Sequence, residues 1–192
     1  MSGRATRLRK QDIAHLLRSA AAITRCSAFV MVGTGAVIAR GKTIPLDLMR
    51  TREIDIYALG IDDVDEVSTL IDGTIGEGSQ FDEAFGYYAH GVGERTACLP
   101  EDWRTRATEL RLQAPARVTC LCPETNDIAL AKACAWREKD RAWLRSALLS
   151  GIISLDVMSD RAALIDNPNA PPEAELRRRL ATLRSSALPA GA

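Results

Sequence analysis

The sequence predicts an α+β fold: a small mixed central sheet followed by a helical C-terminal half. Three observations predict it. Residues 28–32 form a short apolar run that Gly33-Thr34-Gly35 breaks off. Residues 53–58 alternate polar and apolar side chains, the period of a half-buried strand. From Pro123 onward the chain reads as one helix after another.

The elements follow in order. Residues 12–25 read as helix, because Ile13, Leu16, Leu17, Ala20 and Ala21 recur at helical spacing. Residues 28–32 read as a buried strand, and 36–40 as a short helix that Gly41 ends. Pro45 keeps the next segment extended or turned. The strand 53–58 stops at Gly60, and 62–71 reads as an acidic helix with Val64, Val67 and Leu70 or Ile71 turned inward. Gly73, Gly76 and Gly78 predict a mobile loop, and 85–92 a strand. Leu99 to Trp103 reads as a turn into a short helix, and the β-branched run 117–121 as a strand. Helices are expected at 124–136, 139–150, 154–164 and, after Pro171-Pro172, 173–186. The organisation this implies is an α/β core with an N-terminal helix at 1–122, a helical part at 123–166, and a linker with an amphipathic, Arg-rich helix at 167–192.

With 192 residues and 46% hydrophobic content, the chain can build a core of its own. Its net charge is zero, which gives no global electrostatic pull toward nucleic acid or membrane. The charge is nevertheless uneven. Residues 1–25 carry Arg4, Arg7, Arg9, Lys10, Arg18 and Arg25 against Asp12, whereas residues 53–83 carry ten acidic residues and neither Lys nor Arg. No apolar run approaches the roughly 20 residues of a membrane span, and the basic N-terminus is not followed by an apolar signal-like stretch. Five cysteines, an odd number, point to free thiols in a reducing, cytoplasmic setting rather than to a disulfide framework. Cys120 and Cys122 share one face of a strand, where packing suits them better than zinc, since the chain has only His15 and His90 to complete a site.

The chemistry concentrates around Gly33 and the strand 53–58. Alternation puts Glu53, Asp55 and Tyr57 on one side and Ile54 and Ile56 on the other. Side chains at i and i+2 stand about 7 Å apart along a strand, so the two carboxylates can converge on a divalent cation. Mg2+ takes oxygen ligands and commonly combines one or two carboxylates with substrate phosphates. The Gly33-Thr34 turn would let a phosphate approach the backbone and offer it a hydroxyl. The other reading of the acidic pair is the solvated face of an edge strand. Ile128, Lys132, Ala135 and Lys139 fall on one side of the following helix. Lys132 either neutralises phosphate in a cleft or snorkels its ammonium into water. His90 reads as a strand histidine ahead of a catalytic base. The last helix, with Leu176, Leu180 and Leu183 on one side and Arg177, Arg178, Arg179 and Arg184 around it, reads first as a packing helix.

A strand, Gly-Thr, a helix and then a strand with acid-x-Asp resembles the polymerase-beta-like nucleotidyltransferase superfamily. The resemblance is closest to its minimal branch, the AbiEii-like abortive-infection toxin nucleotidyltransferases and their uncharacterised bacterial relatives. Thr51-Arg52-Glu53-Ile54-Asp55 is similar to the acidic strand of those relatives, and Lys132 to Asp140 to their later lysine, Arg-x-Lys-Asp motif. The segment Leu99-Pro100 with Trp103 and Arg106 is similar to them as well. The resemblance implies a fold of the nucleotidyltransferase type and Mg2+-dependent transfer of a nucleotidyl group from a nucleoside triphosphate to a hydroxyl. The acceptor would be the end of a tRNA, another RNA or a protein, with a cognate antitoxin as partner. It implies that Gly33, Thr34, Arg52, Arg137 and Lys139 hold the nucleotide, that Glu53 and Asp55 hold the metal, and that Lys132 and Asp140 complete the catalytic set. The chain departs from the pattern in Thr34 for serine, in Glu53 for aspartate, and in the third carboxylate, for which Asp82, Glu94 and Glu109 are the candidates. Those departures also suit a binding protein on the same fold with a degenerate site.

Overall fold

The computed structural model describes residues 7–41, 44–113 and 117–187. Arg4 of the basic N-terminal arm lies outside them. The fold is α+β, with a five-stranded mixed sheet and eight α-helices among the described residues.

Helix α1 (Lys10–Thr24) opens on Arg9, whose backbone N–H donates to Asp12 Oδ2 at 2.9 Å, and it buries Ile13, Leu16, Leu17 and Ala20. Strand β1 (Ala28–Val32) runs without a gap into α2 (Gly33–Ala39), so the glycine turn is itself the first turn of a helix. Strand β2 is Glu53–Ala58. Helix α3 (Val64–Ile75) is capped by Asp63, which accepts from the Glu66 N–H, and it continues through Gly73. A helical glycine costs about 1 kcal/mol, less than the roughly 1.5–3 kcal/mol that burying a residue such as Ile75 returns. The loop expected at 73–78 is therefore confined to the residues after Ile75, and a further helix, α4 (Gln80–Phe85), follows it. That helix takes Phe85 out of the expected strand, so β3 is only Tyr88–Gly91. Single 3-10 turns occupy Leu46–Met49, Glu94–Thr96 and Trp103–Arg106.

Strand β4 (Thr108–Leu112) has no counterpart in the sequence-based expectation. It is an exposed edge strand carrying Glu109 and Arg111, paired with each other, and it is held by its ladder to β5 (Val118–Cys122) rather than by apolar side chains. The helices α5 (Thr125–Ala135), α6 (Glu138–Leu149), α7 (Leu155–Ala162) and α8 (Glu173–Ala187) complete the chain. Trp136, in the left-handed region at φ 55°, separates α5 from α6, so the stretch from Lys132 to Lys139 is not one helix face.

The sheet order is β3-β2-β1-β5-β4. β1 is antiparallel to β2 and parallel to β5, and β2 is parallel to β3. The register puts Phe29, Met31, Ile54, Ile56, Ala58 and Cys120 on one face, all of them buried. Helix α3 lies along β3 and β2, and α1 packs on α3. The other face carries Val30, Val32, Glu53, Asp55, Tyr57, Tyr88 and His90. α5 follows β5 directly and packs on α2, which brings the helical half to the open part of that second face. α8 buries Leu176, Leu180 and Leu183 against it. Arg179 donates to the carbonyls of Ala133 (3.0 Å) and Cys134 (2.6 Å), neutralising the C-terminal end of α5. No helix among the described residues is long and apolar enough to cross a membrane.

Candidate functional site

A cavity of about 360 Å³ opens where the ends of β1 and β2 meet α5 and α6. Its floor comes from the hairpin-like pairing of β1 with β2. Val32 is opposite Asp55, so Gly33, the next residue, comes up against the acidic strand. Gly33 has φ +66°, and a Cβ there would stand 2.5 Å from Asp55 Oδ2. The residue is glycine for two reasons, the left-handed backbone and the room that Asp55 needs. Thr34 lines the cavity beside it.

Glu53 and Asp55 both line the cavity, with side chains about one-third exposed (32% and 28%). Tyr88 OH donates to Glu53 Oε2 at 2.9 Å, and Lys139 Nζ stands 3.7 Å from Oε1. Asp55 Oδ1 faces His90 Nδ1 at 3.3 Å, and Oδ2 accepts no hydrogen bond among the described residues. Burial, and then the neighbouring Glu53 charge, push the Asp55 carboxyl above the usual range, against the pull of His90 and Lys132. A carboxylate in that position lacks counter-charge.

The opposite wall is basic. Lys132 reaches in from α5 with a side chain only 14% exposed, its ammonium over the Trp143 ring at 5.1 Å and 3.4 Å from Asp140 Oδ1. It does not snorkel. Burial lowers its pKa, and the Asp140 and Asp55 charges act to restore it. Asp140 is fully buried and does not line the cavity. It accepts from Arg137 Nε at 2.7 Å as well as from Lys132, so it positions both cations from behind. Burial alone would raise the Asp140 carboxyl, but the Arg137 and Lys132 charges outweigh it and hold it below the usual range. Arg137, Lys139 and Arg50 stand around the mouth.

The structure therefore brings together Gly33, Thr34, Glu53, Asp55, Lys132, Arg137 and Lys139, with Asp140 behind them. It does not bring Arg52 there. Arg52 turns to the outside, where it pairs with Asp82, donates to the Gly86 carbonyl at 3.1 Å and lies over the Tyr88 ring at 5.5 Å. Arg50 takes a place on the cavity wall instead. None of the three candidate third carboxylates lines the cavity. Asp82 is committed to Arg52, Glu94 pairs with Arg104, and Glu109 lies on the far edge strand with Arg111. The residue that does stand beside Asp55 is His90. The Tyr88-x-His90 spacing repeats the Glu53-x-Asp55 spacing, and that was its signal in the sequence. It became readable only once β3 paired with β2 in the register Glu53 to Tyr88 and Asp55 to His90.

Among the described residues, no three His, Cys, Asp or Glu side chains form a ready-made metal cage. Two carboxylates beside the Gly33 turn, one oxygen of Asp55 without a hydrogen bond among the described residues and a basic wall opposite, do fit a hard divalent cation whose remaining ligands come from phosphate oxygens.

Compared with known proteins, the chain is matched over residues 9–182 by the model of a family described as nucleotidyltransferase of unknown function (DUF6036). No curated protein and no solved structure matches it.

Proposed function

The chain belongs to that nucleotidyltransferase family, and from this premise we propose that it transfers a nucleotidyl group from a nucleoside triphosphate, with Mg2+, to a hydroxyl on RNA or protein. The observation that carries the reading is the facing of two walls across one cavity. Glu53 and Asp55 stand against the Gly33 turn, and Lys132, Arg137 and Lys139 stand opposite.

In this reaction the acceptor oxygen bonds to the α-phosphorus, the bond from that phosphorus to the bridging oxygen breaks, pyrophosphate leaves, and the acceptor proton passes to solvent. Glu53 and Asp55 would hold the metal, which supplies charge neutralisation and activation of the attacking oxygen when bound. The chain's own residues do the rest. Gly33 leaves the backbone open to close approach of a phosphate, and Thr34 offers a hydroxyl. α2 has only seven residues, so no large dipole effect is assigned to it. Lys132 is fixed by Asp140 and the Trp143 face, and it meets the charge that accumulates on the leaving pyrophosphate. Arg137 and Lys139 neutralise the triphosphate at the mouth. Asp140 keeps the Lys132 and Arg137 heads in place.

A tRNA end as acceptor and a toxin–antitoxin setting with a cognate antitoxin are supported by the resemblance of the Thr51–Asp55 and Lys132–Asp140 motifs to the abortive-infection toxins. A second reading, nucleotide binding without transfer, is favoured by the engagement of both Glu53 oxygens by Tyr88 and Lys139. The test is labelling. Purified protein with Mg2+ and each of the four labelled nucleoside triphosphates, offered total RNA and protein, should label an acceptor, and Asp55→Ala should abolish the label while keeping the fold. Equal labelling by that variant would remove the assignment, and tight binding without labelling would favour the second reading.

A further inference from the structure

We infer that His90 is a metal ligand, and that its imidazole beside Asp55 tilts the site from Mg2+ toward a first-row transition ion. The inference rests on the reading of Glu53 and Asp55 as metal-holding residues and adds to it a nitrogen donor and an ion preference.

Three observations carry it. First, β2 and β3 are parallel neighbours with Asp55 opposite His90, so both side chains rise from one face into the cavity. Their nearest atoms, Oδ1 and Nδ1, are 3.3 Å apart. Donors at right angles on an ion about 2.1 Å away from each lie about 3 Å apart, so the pair is spaced to share one cation.

Second, the far side of the ring is supported. His90 Nε2 stands 4.0 Å from Asp72 Oδ2, and Asp72 is itself held by the Gly91 N–H at 2.7 Å. The Asp72 charge, beyond hydrogen-bond reach at this distance, favours the proton on the outer nitrogen and so leaves the inner lone pair for the ion.

Third, the ring is available. The His90 side chain is 53% exposed and open to the cavity. The other histidine, His15, is engaged with Tyr87 OH at 2.9 Å and packed between a tilted Phe81 and an edge-on Phe85. Imidazole suits Fe2+ or Zn2+ better than Mg2+, which prefers oxygen throughout, and Mn2+ is the paramagnetic stand-in for them.

The test uses the whole chain with Mn2+ and inorganic tripolyphosphate, a probe that contains no nitrogen. Pulsed electron paramagnetic resonance should show a directly bound 14N in the wild type and none in His90→Ala. In the same variant Mn2+ affinity should fall about tenfold or more, with Mg2+ affinity changed far less. His90→Asp should bind Mn2+ without the nitrogen signal and move the preference back toward Mg2+. If Mn2+ binds and is lost in Asp55→Asn but shows no 14N coupling, the His90 contact is a plain hydrogen bond. The inference then falls while the metal site stands. If the wild type takes up no Mn2+-tripolyphosphate at all, both fall.

Discussion

The two ends of α5 carry two clusters of charge that are built in opposite ways. At its start, Asp127 is fully buried and closed in by Arg106 (3.2 Å) and Arg161 (2.9 Å), with Arg161 also on Glu124 (2.8 Å) and Arg106 also on Asp102. At its end, Lys132 shares Asp140 with Arg137, and Asp55 across the cavity is left short of positive charge. The first cluster ties β4's preceding turn, α5 and α7 together. The second holds cations in readiness and leaves room between the walls. A buried charge that is fully paired marks architecture, whereas one whose neighbours leave it unbalanced beside an open cavity marks a place for a ligand.

The largest expected effect breaks the closed cluster. Asp127→Ala removes the buried carboxylate that Arg106 and Arg161 share, leaving each partly buried guanidinium with one partner, and should lower unfolding free energy by about 3 kcal/mol, measured by denaturant melts. Its residual activity per folded molecule should be close to wild type, because Asp127 does not itself line the cavity. Lys132→Met inverts that outcome. It keeps the packing on Trp143, and should lower the transfer rate by about 100-fold or more with only a modest change in melting temperature.

Asp140 lies between the two classes. Its pKa is depressed on folding, so its contribution is full above the unfolded value, near pH 4, and is lost as the pH falls through the folded value. Asp140→Asn should destabilise the protein at neutral pH and flatten the acid limb of the stability–pH curve below about pH 4. It should also raise the KM for triphosphate by loosening Lys132 and Arg137.

Gly33→Ala should cost about 1–3 kcal/mol through its left-handed backbone and, by crowding Asp55, weaken metal binding as well. Lys139→Ala is the smallest. Its side chain is 67% exposed and 3.7 Å from Glu53, so stability should stay unchanged, and only the salt dependence of triphosphate binding should shift.

The clusters also differ in how far the sequence revealed them. Glu53, Asp55, Gly33 and Lys132 were legible because alternation, a glycine break and a lysine on an apolar helix side are local signals. The Asp127 cluster was not, since Arg106, Asp127 and Arg161 are far apart in the chain and meet only through the packing of α5 and α7. Arg52 was misassigned for the same reason. Its neighbours in sequence are site residues, but the salt bridge to Asp82 on α4, a helix hidden behind glycines, turns it outward. β4 carries a short alternation, Leu110 and Leu112 alternating with Glu109 and Arg111, but five residues with none fully buried are too weak a signal by themselves. β1, β2 and β5 and the two faces of β2 followed from local patterns, whereas β4, the strand order and the charge partners needed the tertiary structure.

The most direct measurement is thermal stabilisation of wild type and Asp55→Ala by a nucleoside triphosphate, with and without Mg2+. A ligand at about 100 times its dissociation constant adds roughly 2.7 kcal/mol. Wild type should gain it only when metal and triphosphate are both present, and Asp55→Ala should gain none. Equal stabilisation of the two proteins, or none of the wild type with any of the four triphosphates, would contradict the account.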